Sequence, residues 1–226
     1  KNKPIIAQIE PTSHCNLKCE MCIREKINVS IGTMSFKNFK TILEKLDSLS
    51  KIHISGQGEP FLNKELFDMI KYANKRGITV FFTTNGTMLT KEIIHTICKV
   101  DIGEIGISID STIKEKYEKI RKGANFNKVK TNIKNLVNEL QKSKKKTIVS
   151  TSAVILKDNF NEIPEFIKLA NSLGIKKVGF QTIQEKKDYI DKYNSKTKTQ
   201  VVSNFNKELK EKIKQAKKIA KKYKIT

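Results

Sequence analysis

The sequence predicts an α/β fold, a partial (β/α)6 barrel of the TIM type with parallel strands. Three observations predict it. Six short runs rich in Ile, Val and Phe alternate with stretches whose apolar residues recur at helical spacing. Glycines at 77 and 174 close two of the helices directly before a strand. The polar motifs fall after successive strands, at the end of the barrel where active sites of this architecture lie.

Residues 5–9 form the first strand, and a cysteine-bearing loop follows it. Ser35 caps a helix carrying Phe36, Phe39, Ile42, Leu43 and Leu46 at helical spacing. Residues 52–54 are the second strand, and a helix through Leu66, Phe67, Ile70 and Tyr72 runs to Gly77. Residues 78–82 are the third strand and 91–99 a helix; residues 105–109 are the fourth strand. A short helix over 115–120 precedes a longer one over 127–141. Residues 147–156 make the fifth strand, 163–173 a helix ended by Gly174, and 177–181 the sixth strand. The polar, lysine-rich stretch 184–198 reads as a loop. The last helix, 204–222, turns Phe205, Leu209, Ile213, Ala216, Ile219 and Ala220 to one side. Lys224-Ile225-Thr226 resembles the start of a further strand. Residues 1–226 are expected to form one core domain, and the missing initiator methionine marks the chain as an expected excerpt of a longer protein.

At 38% hydrophobic residues the chain has enough apolar side chains for a core, and no apolar run approaches the roughly 20 residues of a membrane span. No secretory signal is visible at the N-terminus, so a cytoplasmic location is the expectation. The formal net charge of +22 leaves two readings, a nucleic-acid surface or solvated lysine-rich helix faces. Arginine, the better reader of phosphate and guanine, occurs only at 24, 76 and 121, and the lysines are scattered, which favours the second.

Of the four cysteines, Cys15, Cys19 and Cys22 lie within eight residues as C-x3-C-x2-C. That crowding suits metal binding, not a disulfide framework. Three thiolates can hold three irons of a cubane cluster and leave the fourth open to an amine and a carboxylate. The competing reading is a zinc site completed by His14, but no second cysteine pair follows.

This loop, with the preceding Gln8-Ile9-Glu10-Pro11-Thr12, resembles the radical S-adenosylmethionine superfamily. It looks closest to the branch of the molybdenum-cofactor precursor cyclase, the sulfatase maturases and the peptide-modifying enzymes that often carry auxiliary clusters. The resemblance spans residues 5–181. It implies a [4Fe–4S] cluster on Cys15, Cys19 and Cys22 and S-adenosylmethionine as cosubstrate. Gly56-Gln57-Gly58-Glu59-Pro60 matches the family's glycine-glycine-glutamate-proline segment, with Gln57 in place of the usual first glycine. Gly58 and Glu59 thereby inherit contact with the methionine amino group. Ser108 and Arg121, from Ser108-Ile109-Asp110-Ser111 and Arg121-Lys122-Gly123, would take the carboxylate. Asp110 is either a ribose contact or a structural bond, and Asn85 either a ligand contact or part of a strand-ending turn. Met21 stands where many relatives place an aromatic residue near the adenine. No clear counterpart of the family's adenine motif occurs over residues 154–159.

Cys98 reads as a small buried hydrophobe, and His53 and His95 as structural histidines. The implied activity is reductive cleavage of S-adenosylmethionine to a 5′-deoxyadenosyl radical that abstracts hydrogen from a peptide or a small cofactor precursor. The resemblance also implies an electron donor such as flavodoxin or ferredoxin, and no membrane partner. A radical enzyme acting on RNA and a non-catalytic iron–sulfur or zinc scaffold are the alternatives.

Overall fold

Short strands of β-branched residues and helices with well-defined caps dictate the layout. The computed structural model describes residues 3–25, 30–182 and 206–226. Its elements run β1 (Ile6–Ile9), α1 (Phe36–Lys45), β2 (Lys51–Ile54), α2 (Leu66–Lys75), β3 (Thr79–Thr84) and α3 (Lys91–Ile97). They continue with β4 (Glu104–Ser108), α4 (Lys114–Ile120), α5 (Phe126–Lys142), β5 (Ile148–Ile155), α6 (Ile163–Ser172), β6 (Lys177–Thr182) and α7 (Asn206–Tyr223). The sheet has six strands in sequential order, each pair of neighbours parallel. That is the strand order of a TIM barrel. Among the described residues β1 and β6 do not pair with each other, so the barrel is partial.

The helix signals act locally as expected. Ser35 accepts a hydrogen bond from the Asn38 amide at 3.2 Å, and Asn125 caps α5 by accepting from Lys128 at 2.8 Å. Gly77 and Gly174 adopt φ of 72° and 76°, which ends α2 and α6 at little steric cost. β3 extends two residues beyond the expected Phe82, to Thr84.

The two faces of the sheet differ. Ile52, Ile54, Val80, Ile105 and Ile107 are fully buried against the helices. Alternate residues Gln8, His53, Thr83, Ser108 and Ser152 line a cavity on the opposite face. A parallel sheet covered on both faces would carry near-continuous apolar strands. Here β2 reads Lys51-Ile52-His53-Ile54, exposed and buried by turns.

α7 packs on α6, with Ala216 buried and Leu209, Ile219 and Ala220 partly buried. Ile213, expected on the same apolar face, is instead 37% exposed, because the face in contact is narrower than the apolar stripe. Asn204, Phe205 and the expected loop 184–198 lie outside the described residues. The Thr226 amide donates to Lys176 O at 2.9 Å and Thr226 O accepts from Val178 N at 2.8 Å, a parallel pairing on the edge of β6. No helix among the described residues is long and apolar enough to cross a membrane.

Candidate active site

The cysteine loop leaves β1 and is tied to segments far away in sequence. Lys18 N donates to Lys122 O at 3.0 Å and Glu20 N to Ile120 O at 2.8 Å, which fastens it to the end of α4. Gly123, with φ 99°, lies under it; a Cβ there would meet Leu17 Cδ2 at 3.4 Å. Asn16 accepts from Asn85 Nδ2 at 2.9 Å and donates to Thr87 Oγ1 at 2.8 Å, which fastens the loop to the turn after β3. Leu17 is 2% exposed and anchors the loop in apolar contact.

Cys15, Cys19 and Cys22 line one cavity of about 580 Å3. Gly58, Glu59, Asn85, Ser108, Asp110 and Arg121 line the same cavity. Four separate strand ends and the C-terminal end of α4 therefore deliver to one space every residue nominated from the sequence. Among the described residues no group of three or more His, Cys, Asp or Glu is arranged to hold a single metal ion. Three soft thiols facing a cavity of this size suit a cluster better than one tetrahedral zinc. Burial raises the Cys15 thiol and pushes Cys19 up to about 11. Both of these thiols are held protonated near neutral pH, so metal binding at Cys15 and Cys19 releases protons.

Glu59 is 1% exposed and its carboxylate joins two loops. It accepts from Thr84 Oγ1 at 2.7 Å, Asn85 N at 2.8 Å and Phe61 N at 3.4 Å. These bonds occupy three of roughly four acceptor sites on the group. Burial raises its pKa, against the lowering effect of those donors. The Asn85 side chain is equally committed, donating to Asn16 and accepting from Thr87 N at 2.9 Å. Glu10, absent from the sequence-derived set, accepts from the Gln57 amide and, at 3.3 Å, from Gly58 N. Gly58 passes so close to the cysteine loop that a Cβ would lie 2.0 Å from Thr12 O and 2.6 Å from His14 O. The signal for Glu10 was present in its place at the end of β1, one residue beyond the strand.

Asp110, fully buried, pairs through Oδ2 with Arg121 Nε at 2.6 Å and accepts from Val154 N on Oδ1 at 2.8 Å. Its structural bond is thus with Arg121 and β5. Asn159, also unpredicted and fully buried, donates to Asp110 O at 2.7 Å and Val154 O at 2.9 Å, joining the ends of β4 and β5. One turn before Arg121 stands Tyr117, 0% exposed, its ring 4.9 Å from Phe126. Its hydroxyl has no hydrogen-bond partner among the described residues. Burial pushes the phenol up to about 12.

His53, read as a structural histidine, has the side-chain partner that reading expects. It is bonded, Nε2 to Thr83 Oγ1 at 3.1 Å, but it faces the cavity beside the cysteines. Burial lowers its pKa, which keeps the ring neutral near pH 7. A second cavity of about 400 Å3 continues down the concave face and shares His53, Thr83, Ser152 and Gln181 with the first. Near its base Lys177 Nζ meets Glu104 at 2.7 Å, and Ser150 Oγ donates to Glu104 at 2.6 Å. The strict alternation of β2 was the signal that His53 faces an uncovered surface.

Comparison with known proteins gives four concordant findings. A family profile described as the Radical SAM superfamily matches residues 9–170. The chain is 29% identical over 174 residues to the tungsten-containing aldehyde ferredoxin oxidoreductase cofactor-modifying protein of Pyrococcus furiosus, covering 74% of this chain and 48% of that one. It is 27% identical over 172 residues to the mycofactocin maturase MftC of Mycobacterium tuberculosis, covering 76% and 43%. The fold superposes on Streptococcus suis SuiB bound to its precursor peptide SuiA with a TM-score of 0.74 and 17% identity, over 95% of this chain and 47% of that one. The chain spans about half the length of the relatives it matches.

Proposed function

This chain belongs to the radical SAM superfamily, and from that premise we propose that Cys15, Cys19 and Cys22 hold a [4Fe–4S] cluster at which S-adenosylmethionine is cleaved. The observation that carries the reading is the convergence of three thiols, Ser108 and Arg121 on one cavity. The donor set fits the cluster: three soft ligands beside a cavity roomy enough for a second ligand. The chemistry supplied with both cofactors bound is one-electron cleavage of S-adenosylmethionine to methionine and a 5′-deoxyadenosyl radical, which takes a hydrogen atom from the substrate.

The protein's own residues bind and orient. The Gly58–Glu59 segment would hold the amino group of the methionine moiety, and Ser108 with Arg121 its carboxylate. Asp110 positions Arg121 by pairing with its Nε, which leaves the outer edge of the guanidinium for an anion. Glu59 and Asn85 act chiefly by locking the loops that carry Gly58 and the cysteines. The concave face below, with neutral His53, Gln8 and Gln181, receives the substrate.

The substrate is a peptide or a small cofactor precursor. The support is that relatives include a mycofactocin maturase and a cofactor-modifying protein, and that SuiB was solved with a precursor peptide. Anaerobic reconstitution tests the reading. The expected result is about four irons per chain, a broad visible absorbance, and release of 5′-deoxyadenosine on reduction. Cys15→Ala, Cys19→Ala and Cys22→Ala should each lose the cluster. A single zinc held by four protein donors would overturn it.

A further inference from the structure

Gly106 and Gly179 lie inside β4 and β6, where glycine weakens a strand. Neither residue has a positive φ. The pairing of β4 with β5 and of β5 with β6 runs through both positions without a bulge. A Cβ at Gly106 would meet Thr83 Oγ1 at 3.5 Å and Ser150 Oγ at 3.6 Å, and one at Gly179 would meet Ser152 Cβ and Thr151 O at 3.9 Å. Those are ordinary contacts, so among the described residues neither backbone shape nor crowding calls for glycine. Glycine inside a strand also marks places where a ligand comes close.

Both glycines line the cavity of about 400 Å3 that continues below the cysteine site. Register sets Gly106 between Thr83 and Ser150, and Gly179 beside Ser152. This wall therefore lacks two side chains and carries small hydroxyls between them. The charges next to it cancel. Glu104 accepts from Lys177 Nζ at 2.7 Å on one oxygen and from Ser150 Oγ at 2.6 Å on the other. His53 is neutral near pH 7, and Lys51, at the start of β2, is exposed to solvent.

We propose that Gly106 and Gly179 keep this cavity open for a bulky, uncharged group of the substrate with a hydrogen-bonding end, and so set the size and polarity of what the concave face accepts. The inference rests on the reading of that face as the substrate site. A charged end would find no uncompensated partner at the Glu104–Lys177 pair. An apolar end would strip water from the Thr83 and Ser150 hydroxyls and from Gln181 without replacing its hydrogen bonds.

The experiment is a calorimetric titration of the anaerobically reconstituted chain with four ring compounds of similar size: benzamide, benzoate, benzylamine and toluene. Iron content is measured on the same sample. Benzamide should bind, and the two charged compounds and toluene should bind roughly tenfold more weakly. Gly179→Val fills the wall and should weaken benzamide roughly tenfold while melting no lower than wild type, because the space is free. Gly106→Ala, a smaller intrusion, should act in the same direction. Equal affinity for the four compounds, no binding of benzamide, wild-type binding in Gly179→Val, or a lower melting temperature of that variant overturns the inference and leaves the cluster reading standing. A chain that binds benzamide but takes up no iron overturns the reading on which the substrate role rests.

Discussion

Arg121 Nε lies 2.6 Å from Asp110 Oδ2, and neither side chain is more than 10% exposed. The pair joins the end of α4 to the segment after β4 at the wall of the cysteine cavity. It fixes the guanidinium before any ligand arrives. A buried pair of this kind adds little net stability, yet breaking it leaves an uncompensated charge.

Asp110→Ala should therefore be costly. It strips Arg121 of its counter-ion and the Val154 amide of its acceptor. The expected loss is about 3–5 kcal/mol, measured by urea unfolding of the metal-free protein. Asp110→Asn keeps an acceptor for Val154 and should lose less.

Two glycines should respond in opposite directions. In Gly58→Ala the new Cβ would meet backbone oxygens of Thr12 and His14 at 2.0 and 2.6 Å, which cannot yield without moving the cysteine loop. A loss of about 3 kcal/mol is expected, the upper end for overpacking. In Gly106→Ala the nearest atom is Thr83 Oγ1 at 3.5 Å. That substitution should gain about 0.5–1 kcal/mol by restraining the unfolded chain. Parallel denaturation curves decide both.

Glu59→Gln tests the junction of the loops. The carboxylate serves Asn85 N on one oxygen and Phe61 N on the other. An amide has one carbonyl oxygen, so one backbone N–H must face an NH2 group. The cost should be about 1–3 kcal/mol, with faster hydrogen exchange at Asn85 or Phe61. Wild-type exchange at both amides would show that the loops do not depend on this group.

The acid limb of stability should carry the signature of Glu162. Burial opposes its charge, but Lys116 and the Ser111 and Thr112 donors outweigh that and hold its pKa below the ordinary 4.5. A carboxyl lowered on folding stabilises the protein above its unfolded pKa, and the contribution disappears as pH falls through the folded value. Glu162→Gln should lower stability at neutral pH and flatten the loss between neutral pH and the acid range. Equal acid slopes in both proteins would remove Glu162 from the account.

Much of this was legible locally. Ser35, Gly77 and Gly174 act within a few residues of themselves, so their roles follow from residue type and spacing. The C-x3-C-x2-C loop and the motifs after β2, β3 and β4 likewise sit where the alternation of strands and helices places them. His53, read as a structural histidine, does bond Thr83 across the sheet; that it also lines the cavity follows from its exposed position on β2.

What the sequence alone determined is the order of elements, their caps, the three-thiol loop and the end of the barrel at which it lies, all consequences of short-range propensity and periodicity. The division of labour was decided by the tertiary structure. Asp110 spends its charge on Arg121, Asn85 its amide on Asn16, Glu59 its oxygens on the turn after β3, and the Tyr117 hydroxyl is buried without a hydrogen-bond partner among the described residues. Each of those outcomes depends on groups brought together from different strand ends. Which donor meets which acceptor there is set by the packing of the sheet, a property no local stretch of chain contains.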